Sequence, residues 1–171
     1  MSQELFLIDS NSFIEPYNRY YSFDLAENFW EQIKNNIENG SIVILDMVKD
    51  EINRGNDQLS DWMREIRIAE EIDHRAQNII LNYRNVLDYI QNEPSYKETA
   101  LENWSQEHIA DAWLIATAIA KDYTIITFEQ KKRSINPGNK YKNAKIPDVA
   151  EHFNVKVDDL FYLMRTLNIK L

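Results

Sequence analysis

The chain has 171 residues, a length typical of one domain, and its 44% hydrophobic and 27% charged residues are ordinary for a soluble globular protein. The absence of cysteine excludes disulfides and thiolate metal sites, and a formal net charge of −9 argues against a surface built for non-specific nucleic-acid binding. No apolar run approaches the roughly 20 residues that span a bilayer, and the opening residues lack the pattern of a signal peptide. We therefore expect a cytoplasmic protein.

The first elements are a buried strand and a helix. The wholly apolar run 5–8 is typical of a strand covered on both faces, and it stops at Asp9. Apolar residues at helical spacing then predict a helix over about 25–39. Asp24 can cap the start of this helix, and Gly40 ends it.

The second strand is predicted at 42–45, another apolar run. Asp46 follows at once, and we interpret it as the N-cap of a short helix. From about 57 to 92 the pattern is only helical, with apolar residues at spacings of three and four, and Pro94 breaks it. We therefore treat residues from about 56 to 106 as a helical insertion within a single domain.

The third strand is predicted at 124–127, after a helix that Ser105 caps and that runs to about Lys121. Residues 145–146 are a candidate short strand, and Pro147 suits the first turn of the next helix.

The chain closes with a candidate strand at 155–157 and a helix capped by Asp158 or Asp159. Short buried strands that alternate with helices indicate an α/β fold with a mostly parallel sheet. The order of the strands stays open at this point.

Four acidic residues are predicted to meet at one edge of this sheet, because sites in open α/β sheets form outside the carboxyl ends of the strands. Asp9 follows the first strand, Glu51 lies on the helix after the second, and Glu129 follows the third by two residues. Asp111 lies in a nearly apolar helical segment, 109–120, where a charged carboxylate is costly unless it is paired, hydrogen-bonded or metal-bound. Taken singly, each acid has a structural explanation; their convergence favours a shared site.

Such a cluster of carboxylates predicts a site for Mg²⁺ or Mn²⁺, which prefer oxygen ligands. Metals of this kind activate water and neutralise a scissile phosphate. The three histidines, His74, His108 and His152, form no ligand motif in the sequence, so we do not expect zinc.

Four segments together resemble the PIN-domain superfamily. They are, in chain order, LIDSNSFI, IVILDMVKDEI, DAWLIATAIAKDYTIITFE and KIPDVAEHF. None is specific alone, but four in order at suitable separations form a strong signal that covers most of the chain outside 55–106. The chain as a whole resembles a PIN-like branch long labelled as a domain of unknown function.

The resemblance implies a three-layer α/β/α fold and metal-dependent cleavage of single-stranded RNA. It implies that Asp9, Glu51, Asp111 and Glu129 are the catalytic, metal-binding acids. It also places Asn11 and Thr127 at positions that support the site by hydrogen bonding, and it suggests a toxin held in check by an antitoxin protein. Glu129 departs from the family pattern, where aspartate is common, and the longer side chain would bind metal through water.

A basic stretch follows the last of these acids. We predict that it contacts RNA phosphates through five side chains: Lys131, Lys132, Arg133, Lys140 and Lys142. A charge run taken alone is more often a solvated loop, and that interpretation stays open.

Other functions are weighed against the nuclease. The main alternative is a catalytically weak PIN-fold binding module that scaffolds an RNA or protein complex. A haloacid-dehalogenase-type phosphatase lacks its second acid, because Asn11 stands there, and a nucleotide-binding Rossmann protein lacks its Gly-rich loop. The aromatic residues Trp62, Tyr83 and Tyr89 either pack in the core, which we favour, or dock a partner or a second copy of the chain in a homodimer.

Overall fold

A computed structural model describes residues 3–132 and 139–171, and its centre is a five-stranded parallel sheet. The strands in chain order are β1 (Phe6–Ile8), β2 (Ile42–Leu45), β3 (Glu71–Ile72), β4 (Thr124–Ile126) and β5 (Val157–Asp158). Their order across the sheet is β3-β2-β1-β4-β5. The predicted α/β class with a parallel sheet is thus confirmed.

β1 lies in the middle of the sheet, with β2 on one side and β4 on the other. Its Phe6 is paired with Ile42 and with Thr124, so the strands begin at the same level. All residues of β1, β2 and β4 are buried, as expected of strands covered by helices on both faces. This alignment brings the segments that follow β1, β2 and β4 to one edge.

Helices connect the strands and cover the sheet. In the described residues they are α1 (Asn11–Arg19), α2 (Glu27–Glu38), α3 (Asp46–Arg54), α4 (Gln58–Glu65), α5 (Gln77–Asn92), α6 (Glu98–Trp104), α7 (Asp111–Lys121), α8 (Ile146–His152) and α9 (Leu160–Thr166). None of them is long and apolar enough to cross a membrane. The three-layer α/β/α arrangement expected from the resemblance is confirmed.

The middle segment differs from the prediction because it is not helical throughout. Glu71 and Ile72 form the edge strand β3, which pairs in parallel with β2 through Ile44 and Leu45. This strand has two residues, one of them an exposed glutamate, so it carries neither an apolar run nor an alternating pattern. The predicted helical insertion therefore also supplies one edge of the sheet.

Three predicted caps are wrong. The helix α2 begins after Ala26 and receives no side-chain cap from Asp24. Ser105 ends α6 instead of starting α7, since its N–H donates to the Leu101 carbonyl. Asp46 is itself the first residue of α3, one position inside the predicted N-cap.

The last part of the chain corrects two more predictions. Residues 145–146 form no strand, because Ile146 begins α8, where Pro147 occupies the first turn as expected. The last strand is Val157–Asp158, displaced toward the C-terminus from the predicted 155–157. Asp159, one of the two predicted caps, accepts a hydrogen bond from the Tyr162 N–H and starts α9.

The aromatic residues of the middle segment pack within the chain, as the favoured interpretation expected. Trp62 lies 5.0 Å, centroid to centroid, from the buried Trp30. Tyr83 stacks on Trp113 at 3.6 Å, and Tyr89 stacks on His152 at 3.9 Å. These contacts join the middle segment to α2, α7 and α8.

Candidate active site

Asp9 is the buried centre of the carboxylate site. Asp9 directly follows β1 and is 3% exposed. Its N–H donates to the Ile126 carbonyl of β4 at 2.9 Å. The Thr127 hydroxyl donates to Asp9 Oδ2 at 2.9 Å. Contacts with β4 and with the residue that follows it therefore fix both the backbone and the carboxylate of Asp9.

Ser10 joins Asp9 to Glu51. Its hydroxyl donates to Glu51 Oε2 at 2.8 Å and lies 3.4 Å from Asp9 Oδ1. Ser10 is buried, and Glu51 on α3 is half-buried. The Ser10 hydroxyl thus contacts two carboxylates, and the one to which it donates at 2.8 Å lies 41 positions further along the chain.

Asp111 is the first residue of α7, where the helix dipole favours a negative charge. Ala112, Leu114 and Ile115 follow it and are fully buried, because α7 packs against β4 and α5. The apolar sequence of this helix thus explains why the Asp111 carboxyl is largely withdrawn from water.

Glu129 is held on the other side of the site by the start of α8. Its Oε1 pairs with Lys145 Nζ at 2.9 Å, and its Oε2 accepts from the Ile146 N–H at 2.8 Å. Its own N–H donates to the Thr127 hydroxyl at 3.1 Å, so Thr127 contacts both Asp9 and Glu129. Lys145 brings a cation to the acids, although nothing in the sequence distinguishes it from the other lysines near it.

The electrostatics of Asp9 and Asp111 indicate that the four acids act on one another. Burial raises the pKa of Asp9 to about 6; the Thr127 hydrogen bond opposes this rise, and the charges of Glu129 and Glu51 add to it. Burial, followed by the charge of Asp9, raises the pKa of Asp111 to about 7. Glu129 and Glu51 act in the same direction on this pKa, while Lys145 lowers it. Repulsion among these carboxylates favours the arrival of a cation.

The two predicted supporting residues lie differently. Thr127 is buried and makes the two hydrogen bonds just described. Asn11 is exposed at the start of α1, and among the described residues its side chain has no hydrogen bond to any of the acids. Ser10, its neighbour, makes the bridging contact. Asn11 instead lines a cavity together with Glu129 and Lys145.

Among the described residues, two of the four predicted RNA-contacting lysines have protein partners. Lys131 pairs with Glu151 at 2.8 Å, and Lys132 donates to the Asn143 carbonyl at 2.7 Å while covering the Tyr141 ring. Lys140 and Lys142 are exposed. Arg133 lies outside the described residues.

A second group of possible ligands lies beyond β2 and β3. Asp46, Asp73 and His74 present ligand atoms that all lie within 4.8 Å of one another, and in the described parts of the chain they are the one such group. His74 Nδ1 lies 2.7 Å from Asp46 Oδ2, so these two side chains are already paired. The sequence analysis did not identify this group, because His74 belongs to no ligand motif in the sequence. The four predicted acids do not approach one another this closely.

Comparisons with known proteins support the fold. A family model described as "Domain of unknown function (DUF4411)" matches residues 6–171. The structure is similar to a chain in the crystal structure of VapBC2 from Rickettsia felis bound to a DNA fragment from their promoter. That likeness has a TM-score of 0.52 and 12% identity, and it covers 91% of this chain and 98% of the other. No curated protein matches the sequence.

Proposed function

Because the chain belongs to the DUF4411 family and has a PIN-like fold, we propose that it is a metal-dependent endoribonuclease that hydrolyses RNA phosphodiester bonds. The observation that carries this proposal is the buried Asp9, linked by hydroxyl groups to Glu51 and Glu129 at the edge of the sheet where Asp111 begins α7. Lys145 brings one positive charge to these four acids.

The donor set fits Mg²⁺ or Mn²⁺, since every candidate ligand is a carboxylate oxygen. Asp9, Glu51, Asp111 and Glu129 would hold the metal, in part through water, because Mg²⁺ keeps several of its waters. A metal bound here supplies an activated water and neutralises charge on the phosphate.

The chain's own residues orient the site. Thr127 and Ser10 fix the carboxylates of Asp9 and Glu51 by donating to them, which leaves the opposite lone pairs of these oxygens available to a cation. Lys145 offers a positive charge beside Glu129, where it can attract an RNA phosphate. The buried apolar residues that follow Asp111 in α7 limit the access of water to its carboxyl. Charge interactions are stronger where water is excluded.

Cleavage of single-stranded RNA tests the proposal. Wild type should cut the RNA with Mg²⁺ or Mn²⁺ and not with chelator. Glu51→Gln should reduce cleavage by about 100-fold or more, because a lost metal ligand or its support lowers both affinity and rate. Asp61→Asn is the control, since Asp61 is exposed on α4 and, among the described residues, forms an ion pair only with Arg64. Equal loss in both variants would contradict the assignment.

A binding module with weak catalysis is the second candidate. It is favoured by the contacts of Glu129, because both of its carboxylate oxygens already have protein partners. In that case RNA binds to wild type and Glu51→Gln alike, and metal-dependent products are absent from both reactions.

We also propose that the chain is the toxin of a toxin–antitoxin pair, with an antitoxin protein as its partner. The support is the structural likeness to a chain in the crystal structure of VapBC2 bound to a DNA fragment from their promoter. Expression of wild type should stop the growth of its host, and co-expression of a small neighbouring reading frame should restore growth. The Glu51→Gln variant should not stop growth. Arrest by both proteins, or by neither, would count against a nuclease toxin.

A further inference from the structure

Three exposed aromatic rings surround Glu129. In the described part of the chain, the large hydrophobic side chains with high exposure include three aromatic ones: Tyr20 at 68%, Phe128 at 38% and Phe161 at 49%. Each of the three lines a cavity that Glu129 also lines. The most exposed rings are therefore gathered beside one of the proposed catalytic acids.

Two cavities extend from Glu129 in different directions. One, of about 480 Å³, lies toward the end of α1 and is lined by Asn11, Tyr20 and Lys145. The other, of about 370 Å³, lies toward the start of α9 and is lined by Lys131, Pro147 and Phe161. Phe128, Glu129 and Gln130 line both cavities, so the loop after β4 borders both of them. Both volumes lie in the roughly 300–1,000 Å³ range of ligand sites.

The rings are separate from one another, which indicates what kind of ligand they suit. Among the described residues, Tyr20 has a ring neighbour only in Tyr21, and Phe161 has the guanidinium of Arg165 5.9 Å from its centroid. A docked apolar helix needs a continuous apolar groove, whereas these rings alternate with lysine, glutamate and amide side chains. Isolated exposed rings with cations between them are the pattern that binds single-stranded nucleic acid.

The charge of the chain also favours binding of RNA through its bases. The net charge of the chain is −9, and of the described lysines that line the two cavities, Lys131 pairs with Glu151 and Lys145 pairs with Glu129. Binding of RNA to such a surface needs a contribution from its bases, and stacking supplies one that does not depend on counterion release.

We propose that Phe128, Tyr20 and Phe161 are stacking positions for unpaired bases of single-stranded RNA, with the bases on either side of the reacting phosphate held in the two cavities. This inference rests on the proposed function, because it names how the same site takes its substrate. Phe128 is the central position, since it lines both cavities.

Binding and cleavage are measured separately to test it. Binding of a short fluorescein-labelled oligouridylate is followed by anisotropy in chelator, where no cutting occurs. Phe128→Ala, Tyr20→Ala and Phe161→Ala should each weaken binding by about 5- to 150-fold, the usual range for loss of one stacked base. Phe128→Trp should bind like wild type, and Phe128→Leu should bind like the alanine variant. Leu81→Ala is the control, because Leu81 is an exposed apolar residue on α5.

An oligonucleotide with abasic positions provides the second measurement. Wild type should bind the abasic oligonucleotide more weakly than the normal one. Phe128→Ala should bind the two oligonucleotides equally, because the ring and the base are the two partners of one contact.

Unchanged RNA affinity in all three alanine variants overturns the inference, and normal cleavage by them leaves the proposed nuclease intact. Full binding by Phe128→Leu also overturns it, since apolar area then suffices. Self-association of wild type that Phe161→Ala abolishes, with RNA binding unchanged, assigns the face to a second copy. Absence of both RNA binding and cleavage in wild type removes the proposed function itself.

Discussion

Replacing Asp111 with asparagine is expected to abolish RNA cleavage and, in chelator at pH 8, to raise the melting temperature by at least about 2 °C. The carboxyl of Asp111 ionises against burial and against three other acids, and this raises its pKa to about 7. Each pKa unit corresponds to about 1.4 kcal/mol, and 1 kcal/mol shifts the melting of a domain of this size by about 2–4 °C. The favourable charge at the start of α7, about 0.3–1 kcal/mol, is smaller.

The pH dependence of the free energy of unfolding tests the same assignment, because its direction follows from the two raised pKa values. The folded-state pKa values of Asp9 and Asp111, about 6 and about 7, lie above their ordinary value, so the folded state keeps protons that the unfolded state has released. The free energy of unfolding in chelator should therefore fall as the pH rises from about 4 to about 7, by at least about 2 kcal/mol. Asp111→Asn should flatten this dependence. Stability that rises over this window and is unchanged by the substitution would refute the assignment.

The response to metal completes the experiment. Mn²⁺ should raise the melting temperature of wild type by mass action and that of Asp111→Asn much less. His74→Ala is the matched control, because His74 belongs to the other group of ligand atoms, with Asp46 and Asp73. It should keep the full metal-induced shift. If His74→Ala loses that shift and Asp111→Asn keeps it, the cation binds beyond β2 and β3 and not at the proposed site.

Replacing Trp30 with alanine is expected to lower the free energy of unfolding by about 3–5 kcal/mol, the usual range for a buried tryptophan. Its side chain is 2% exposed and lies within 5.1 Å, centroid to centroid, of Phe23, Phe29 and Trp62. Its Nε1–H also donates to the Tyr21 carbonyl at 2.6 Å, which anchors the segment after α1.

Urea denaturation measures this loss, and two variants separate its causes. Trp30→Phe keeps most of the packing and removes the hydrogen bond, so its loss should be intermediate. Trp62→Ala should have a smaller effect than Trp30→Ala, because Trp62 is only half-buried. A loss below about 1 kcal/mol in Trp30→Ala would mean that the aromatic cluster contributes little to folding.

The sequence predicts the centre of the sheet because the relevant signals are local. The runs that became β1 and β2 contain only apolar residues, and only a strand buried on both faces suits them in so short a length. The placement of Asp9 beyond β1 follows directly from where that run stops. The all-parallel pairing follows from the helices between the strands.

The edges and caps were harder to predict because they depend on competition between neighbours. Glu71 joins the sheet through pairing with Ile44, and its own side chain carries no strand signal. Asp24 and Ser105 are good capping residues by type, yet the helices start two or more residues after them. Several residues near the start of a helix have the propensity to cap it, and tertiary packing decides where the helix begins.

Within the candidate site, residue type indicated the acids, whereas the contacts between them depend on the three-dimensional fold. Ser10 reaches Glu51 across 41 positions, and His74 reaches Asp46 across 28. Lys145 is one of six basic residues in its stretch, and only the start of α8 brings it to Glu129. Asp9 and Ser10 were visible in the sequence as part of the segment LIDSNSFI, but Lys145 carried no signal of its own.

The central position of β1 has a consequence for how the protein is made. Asp9 is synthesised before the Thr127 hydroxyl that fixes its carboxylate, which follows 118 positions later. Until β4 has been synthesised, β1 lacks one of its two neighbours, and a strand with an open edge invites pairing with other chains. The carboxylates therefore come together only after β4 and the residues that follow it have been synthesised, so a nascent chain that stops before β4 carries no assembled site.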